Sequence, residues 1–188
     1  MWRIVISVLC MALVGCTDIQ KLFIAVPPSI EADEYSVYTD LIAARYENSV
    51  FNSNTGLTTI FSPTRLDELK QKAPEADPLI FADFQKRNEQ QYPLDNQFNL
   101  SSKPILLSLV DFGKIVGPDL KPELFRQAFP NAQGYVTLSR VGFNATRTQA
   151  VVYVQEWKGP LNGTGYLYLM TKTGNHWTVK TEVMDFIS

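Results

Sequence analysis

The first half of the chain carries apolar residues at helical spacing. Between residues 30 and 46 they recur every three or four positions, which predicts an amphipathic helix with Ser29 as its N-cap. Further helical segments are predicted over residues 64–72 (one turn or two), from a cap at Asp77 to before Pro93, and over residues 122–129, which begin with a proline.

The pattern becomes that of β-strands in the second half. From Gly134 onward, β-branched and aromatic residues form four runs separated by turn-rich connections, which is typical of an antiparallel meander. Two more strands are expected earlier, at residues 57–61 and 105–112. This order predicts an α+β fold in which N-terminal helices pack on one face of a C-terminal antiparallel β-meander. The four runs cover residues 135–143, 149–157, 165–171 and 176–186.

The N-terminal segment has a pattern of its own. Arg3 is followed by 11 residues without a charge, 4–14, which is too short for a transmembrane helix and is typical of a secretory signal. The run ends in Leu13-Val14-Gly15-Cys16, which resembles the lipobox of bacterial lipoprotein signal sequences. The resemblance implies cleavage before Cys16 and acylation of this residue. Two or three acyl chains anchor a protein stably, whereas a single chain does not.

The same resemblance implies a location in the envelope. In Gram-negative lipoproteins an aspartate directly after the lipidated cysteine commonly signals inner-membrane retention. Thr17 therefore implies the outer membrane, facing the periplasm, with Asp18 only one position later. The alternative is that Cys16 is a buried thiol and the segment is an ordinary signal or an uncleaved anchor.

These features predict a signal peptide over residues 1–15, a tether over 16–28 and a single α+β periplasmic domain over 29–188. The tether ends in a Pro-Pro pair, which favours extended backbone. Cys10 would be removed with the signal peptide and Cys16 would carry lipid. The domain would then contain no cysteine for a disulfide.

Composition narrows the classes of partner. With 45% hydrophobic and 19% charged residues among 188, the chain has the composition of a folded domain. A net charge of −2 without a basic block argues against nucleic acid, which requires a concentrated positive surface. The sequence has no glycine-rich phosphate loop, cysteine pair or His-Glu helix motif, so neither a cofactor nor a metal is predicted.

Candidate catalytic residues are few. His176 is the only histidine, and its position in a predicted hairpin turn favours a solvated side chain. Asp83 and Asp111 are carboxylates that the fold could bring together, which leaves a hydrolase of envelope polymers as the alternative function. Surface or capping roles are favoured for both aspartates because their spacing along the chain does not pair them.

Aromatic residues in the predicted meander suggest a binding surface. If the aliphatic residues of the second and third strands pack under the helices, an opposite face would carry Tyr153, Trp157, Tyr166 and Tyr168. Such a surface suits a glycan, a peptide or another envelope protein. The favoured alternative is that a strand such as residues 105–112 covers this face and makes it a second core.

Two further features are candidates for contact with a partner. Arg140 shares its predicted strand face with apolar residues, so it should either extend to the sheet edge or pair with a carboxylate such as Glu156. A binding role for Arg140 is the less favoured alternative. The glycine-rich connection over residues 158–165 is either a wide β-turn, which is favoured, or a mobile contact loop.

The last third of the chain also resembles known proteins. Residues 138–144, 148–154 and 166–169, with the glycine-rich hairpin between them, are similar to uncharacterised bacterial secreted or lipid-anchored proteins. Many of those carry paired cysteines in the hairpin, where this chain has Trp157 and Asn162 instead. The resemblance implies no activity. The leading hypothesis is therefore a lipid-anchored envelope protein with a non-catalytic binding or structural role, whose partner is an envelope protein or a glycan.

Overall fold

The computed structural model describes residues 27–56 and 63–188. The predicted signal peptide, Cys16, the tether as far as residue 26 and the predicted strand at 57–61 lie outside the described residues. Within the described residues, no helix has both the length and the apolar character that crossing a membrane requires.

The described residues form five α-helices, each of which begins at a segment with helical periodicity or at a capping residue. The first, α1, ends in a π-helical turn, Ile42–Tyr46, so the combined segment closely matches the predicted helix. Its N-cap is Glu31 and not Ser29, because Glu34 reaches back to accept a hydrogen bond from the Glu31 amide at 3.2 Å. The helices are α1 (Ala32–Leu41), α2 (Pro63–Lys72), α3 (Leu79–Arg87), α4 (Leu109–Val116) and α5 (Pro122–Ala128).

Seven strands within residues 27–56 and 63–188 form one mixed sheet. Its order is β2-β1-β3-β5-β6-β7, and the short β4 pairs with β5. The first two strands pair in parallel with each other, and β1 is also parallel to β3, whereas β3 to β7 form the predicted antiparallel meander. The strands are β1 (Val50–Asn52), β2 (Ile105–Leu107), β3 (Tyr135–Leu138), β4 (Gly142–Phe143), β5 (Gln149–Trp157), β6 (Gly163–Thr173) and β7 (His176–Ile187).

The predicted α+β class is confirmed, with the helices mostly N-terminal to the meander. The expectation that helices cover only one face is wrong. Val152 and Val154 pack with α1 on one face, while their neighbours Val151 and Tyr153 pack with α2 and α3 on the other. Each fully buried aliphatic side chain contributes about 1.5–3 kcal/mol relative to exposure. Because both faces of the sheet carry buried apolar side chains, the sheet separates two apolar layers.

The helices α4 and α5 form a third cluster with the strands β1 and β3. Phe112 stacks on Tyr135 with ring centroids 4.1 Å apart and meets Phe125 edge-on. Alternation along β3 places Tyr135 on the face opposite Val136, which belongs to the α1 layer. The third cluster is thus on the same face as α2 and α3.

The predicted strand at residues 105–112 is only partly present. Three residues form β2, and the rest of the apolar run belongs to α4. Ser108 caps this helix by accepting a hydrogen bond from the Asp111 amide at 3.1 Å. A serine followed by an acidic residue three positions later is a helix-start signal, and it outweighs the β-propensity of the apolar run here.

Candidate functional site

The predicted aromatic surface is not formed, because the strand register separates its members. Tyr153 lies opposite Leu167 across the β5–β6 ladder, whereas Tyr166 and Tyr168 lie opposite Val154 and Val152. Directly opposite residues share a face, so the two β6 tyrosines are on the α1 face. Tyr153 is on the other face, as is Trp157 by alternation along β5.

Burial removes most of these rings from solvent as well. Tyr153 is fully buried, and its hydroxyl donates to Asp185 at 3.1 Å. Tyr168 is 3% exposed and shares a 2.7 Å hydrogen bond with Tyr46. Helices cover both faces, so the favoured expectation of a second core is met by α2 and α3 and not by a strand.

The remaining two aromatic candidates are half-buried and lie apart. Trp157 meets Phe112 edge-on with centroids 5.0 Å apart, in the cluster under α4 and α5. Tyr166 stacks at 5.8 Å on Tyr168 on the opposite face. They cannot contact one planar ligand together, because the sheet lies between them.

Arg140 is fully buried and pairs with Glu34, not with Glu156. Its Nη2 lies 2.5 Å from Oε1 of Glu34, and its Nε donates to Oε2 at 3.2 Å. Glu156 instead pairs with Lys158 at 2.9 Å. The bidentate geometry matches the planar guanidinium to the carboxylate, which is the arrangement that best offsets the desolvation of a buried pair.

A second arginine extends this pair into a buried ionic cluster. Nη1 of Arg87 lies 3.3 Å from Glu34, and its Nε lies 2.7 Å from Asp83. Asp83 and Glu34 also accept backbone amides of the segment around β4, from Phe143 at 2.7 Å and Val141 at 3.0 Å. The two arginines and two carboxylates balance in charge and fix the path of the chain between β3 and β5.

The cluster reaches the surface through Glu31. Its carboxylate accepts from Arg87 at 2.8 Å and from Arg147 at 2.9 Å. Partial burial acts to raise the pKa of Glu31, but the hydrogen bonds from the two arginines outweigh it, so the pKa lies below the usual 4.5. The ionised form of Glu31 is thereby tied to the folded state.

Arg140 also holds the start of the domain. Its Nη1 donates to the Pro27 carbonyl at 2.8 Å, and its Nη2 donates to the Ser29 carbonyl at 2.9 Å. The guanidinium lies over the Tyr92 ring, 4.4 Å from the centroid. All of these partners belong to the protein itself. Arg140 therefore holds the backbone at the start of the domain and is not exposed for contact with another molecule.

The two aspartates of the alternative hydrolase have separate partners. Asp83 belongs to the buried cluster, whereas Asp111 is exposed and pairs with Lys114 at 2.7 Å. No hydrogen bond joins the two among the described residues. As expected, His176 is in the β6–β7 hairpin and solvated, with 82% of its side chain exposed and Asp40 at 3.4 Å.

The glycine-rich connection forms a closed turn. The Lys158 amide donates to the Asn162 carbonyl at 2.8 Å, and the Asn162 amide donates to the Gly159 carbonyl at 3.1 Å. At its tip Leu161 is 88% exposed. This geometry agrees with the favoured β-turn.

A cleft that sequence reasoning did not identify opens at the start of the parallel strands. Its volume of about 460 Å³ lies within the range of small-molecule sites. Half-buried Leu100 and Phe129 and exposed Ile105 give it an apolar floor, whereas Ile42, Val50 and Phe51 of its lining are almost completely buried. Its lining comes from Ile42 and Ala43 with residues 47–51, from residues 99–105 before and in β2, and from residues 128–132 at and after the end of α5.

The polar group of interest in this cleft is Ser49. The residue is 6% exposed, and its Oγ has no hydrogen-bond partner among the described residues. The backbone on either side is fixed, because the Asn48 carbonyl accepts from Gln133 and the Val50 amide donates to Gly134, both at 3.0 Å. A buried hydroxyl without a partner costs about 1–3 kcal/mol, which a ligand group could recover.

Two charged side chains line the cleft without an ion-pair partner among the described residues. Glu47 follows the π-helical turn, and Lys103 belongs to the loop before β2, so they come from two different segments of the lining. Both are exposed. Most other charged side chains of the surface helices are paired locally, as Lys70 is with Asp67 at 2.8 Å.

The described residues contain no group of three or more His, Cys, Asp or Glu side chains arranged to hold a metal ion. Comparison of the chain with models of known families, with curated proteins and with solved structures finds no match. The similarity of the last third to bacterial secreted proteins thus stays a prediction.

Proposed function

We propose that this protein is a lipid-anchored protein of the bacterial cell envelope whose domain binds a small apolar ligand without transforming it. The observation that carries the binding role is the cleft at the start of β1 and β2. It combines an apolar floor, a fixed backbone and the unpartnered hydroxyl of Ser49. A small number of polar groups in an apolar concavity is typical of a ligand site.

The lipobox-like Leu13-Val14-Gly15-Cys16 supports the anchor. Cys16 precedes Pro27 by 11 positions, so the connection between them can reach at most about 40 Å. Arg140 holds the backbone from Pro27 to Ser29, which defines the point where this connection meets the folded domain. The tether would therefore keep the domain in the periplasm close to the membrane.

The cleft is separate from the region where the tether enters the domain, which supports a binding role for it. Glu34, the partner of Arg140, is in the first turn of α1, whereas Ile42 and Ala43 of the cleft belong to the π-helical turn that ends the same helical segment. At roughly 1.5 Å per residue, the rise from Glu34 to Ile42 and Ala43 separates the two regions by about 12–14 Å along the helix axis. The point where the tether enters the domain and the cleft are thus associated with different turns of one helical segment.

The anchor is tested by metabolic labelling with palmitate. We expect the wild type and Cys10→Ser to be labelled and Cys16→Ser to remain unlabelled, because only Cys16 would survive in the mature chain as the acylated residue. Cys10→Ser is the matched control, since it changes the other cysteine of the same segment. Labelling retained in Cys16→Ser would contradict the proposal.

The binding role is tested with 5-fluoroindole as a small uncharged probe. The lipidated full-length protein in phosphatidylcholine nanodiscs should broaden its ¹⁹F resonance beyond empty nanodiscs. Ala43→Trp places an indole in the cleft and should abolish the effect, whereas Ala44→Trp, next to it and outside the cleft lining, should not. Equal broadening by both variants would rule out the cleft as the site.

A further inference from the structure

We infer that the ligand of the cleft is a short apolar peptide with both termini free, bound with its ammonium group toward Glu47 and its carboxylate toward Lys103. This inference rests on the proposed function and specifies the ligand class of the same site. It is drawn from the charges of the cleft walls, the apolar floor and the unpartnered hydroxyl.

The charges select a ligand that carries both signs. Glu47 and Lys103 line the cleft from two different segments, and neither has an ion pair among the described residues. A fatty-acid carboxylate would satisfy Lys103 but leave Glu47 unpaired and repelled. An apolar amine would have the reverse fault, because like charges brought together are destabilising.

The floor and the hydroxyl favour a peptide among zwitterions. Leu100 and Phe129 line the cleft as half-buried side chains and Ile105 as an exposed one, so they present apolar surface that aliphatic side chains can cover. The Ser49 hydroxyl can both donate and accept, which suits a peptide group with its own N–H and C=O. A free polar amino acid would leave the floor uncovered.

Four related dipeptides separate the contributions. Leu-Leu carries both charges, N-acetyl-Leu-Leu only the carboxylate, Leu-Leu-amide only the ammonium, and N-acetyl-Leu-Leu-amide neither. Isothermal titration calorimetry at low ionic strength uses the full-length lipidated protein in nanodiscs, with empty nanodiscs as the blank. Leu-Leu should bind about ten-fold more tightly than the doubly blocked peptide, since it alone gains two partly exposed ion pairs.

Matched variants assign each terminus of the peptide to one of the two charged side chains. Glu47→Gln should weaken Leu-Leu and Leu-Leu-amide about three-fold and leave N-acetyl-Leu-Leu unchanged, whereas Lys103→Gln should weaken only the peptides with a free carboxylate. Lys180→Gln removes an exposed charge on β7, outside the cleft, and should change none of the four. Ser49→Ala should weaken all four equally, because the hydroxyl contacts the peptide group.

The outcomes distinguish this inference from the proposed function. Equal affinity for all four peptides, lost in Ala43→Trp, would overturn the charge assignment and leave an apolar ligand site. Preference for N-acetyl-Leu-Leu over Leu-Leu would overturn it in favour of an anionic amphiphile. Absence of binding by all four would also overturn it, and the 5-fluoroindole experiment would then decide separately whether the cleft binds any ligand.

Discussion

Arg140 and Glu34 lie 106 positions apart in the chain and form a salt bridge in which both side chains are 0% exposed. Breaking a buried pair by removing one partner leaves a charge with neither water nor a counterion. Such changes typically cost about 3–5 kcal/mol, whereas replacing both partners with apolar groups can be nearly neutral. Loss of either side chain alone should therefore destabilise the folded state.

Replacement of one partner should destabilise the domain strongly. We expect Arg140→Met and Glu34→Gln each to lower the free energy of unfolding by about 3–5 kcal/mol in urea titrations followed by tryptophan fluorescence. The exposed pair of Arg45 and Glu182, 3.3 Å apart, is the control, and Arg45→Met should change the value by about 1 kcal/mol or less. Similar losses of unfolding free energy at the two sites would contradict the conclusion that burial makes the Arg140–Glu34 pair more important for stability.

Acid should weaken the domain partly through Glu31. Because its folded-state pKa is below the ordinary 4.5, its ionised form contributes stability that is fully present above pH 4.5 and is lost as the pH falls through the folded-state pKa. Glu31→Gln should thus be less stable than the wild type at neutral pH, and the difference should shrink below pH 4.5. Urea titrations across this range measure it, and a difference independent of pH would argue against the ion pairs.

Alkaline titration should reveal the buried tyrosines. Burial raises the pKa of Tyr168 to about 12 and moves those of Tyr46 and Tyr153 further above the usual 10. Their neutral forms contribute stability below pH 10 that is lost as the pH rises through the folded-state values. At pH 10 the folded protein should show much less phenolate absorbance than the unfolded chain in urea. Equal absorbance in the two states would contradict this burial.

Two glycines should respond to alanine in opposite directions. A Cβ at Gly142 would lie 2.5 Å from Cα of Phe84, in the backbone of α3, so Gly142→Ala requires the helix to move. We expect a loss of at least about 1–3 kcal/mol. Gly113 is inside α4 with nothing within 4 Å of a Cβ, so Gly113→Ala should stabilise by up to about 1 kcal/mol. Thermal unfolding measures both, and a destabilised Gly113→Ala would contradict the open space.

Local periodicity was sufficient for much of the fold. The bounds of β5 agree with the predicted strand over residues 149–157, and α5 occupies residues 122–128 of the predicted 122–129. These elements follow from contacts within one helix or one strand, where side-chain spacing decides which residues share a face. The run at residues 105–112 differs because a short apolar stretch fits either a strand or a helix.

The candidate sites depend on residues that are distant along the chain. The face occupied by Tyr166 depends on its pairing with Val154, which a shift of one position in the register would reverse. Arg140 meets Glu34 only because α1 packs across the sheet. The cleft needs three segments to converge at the start of β1 and β2. Spacing and composition thus predict the lipobox-like motif and most elements, whereas strand register and packing between elements bury most of the aromatic rings and create the cleft.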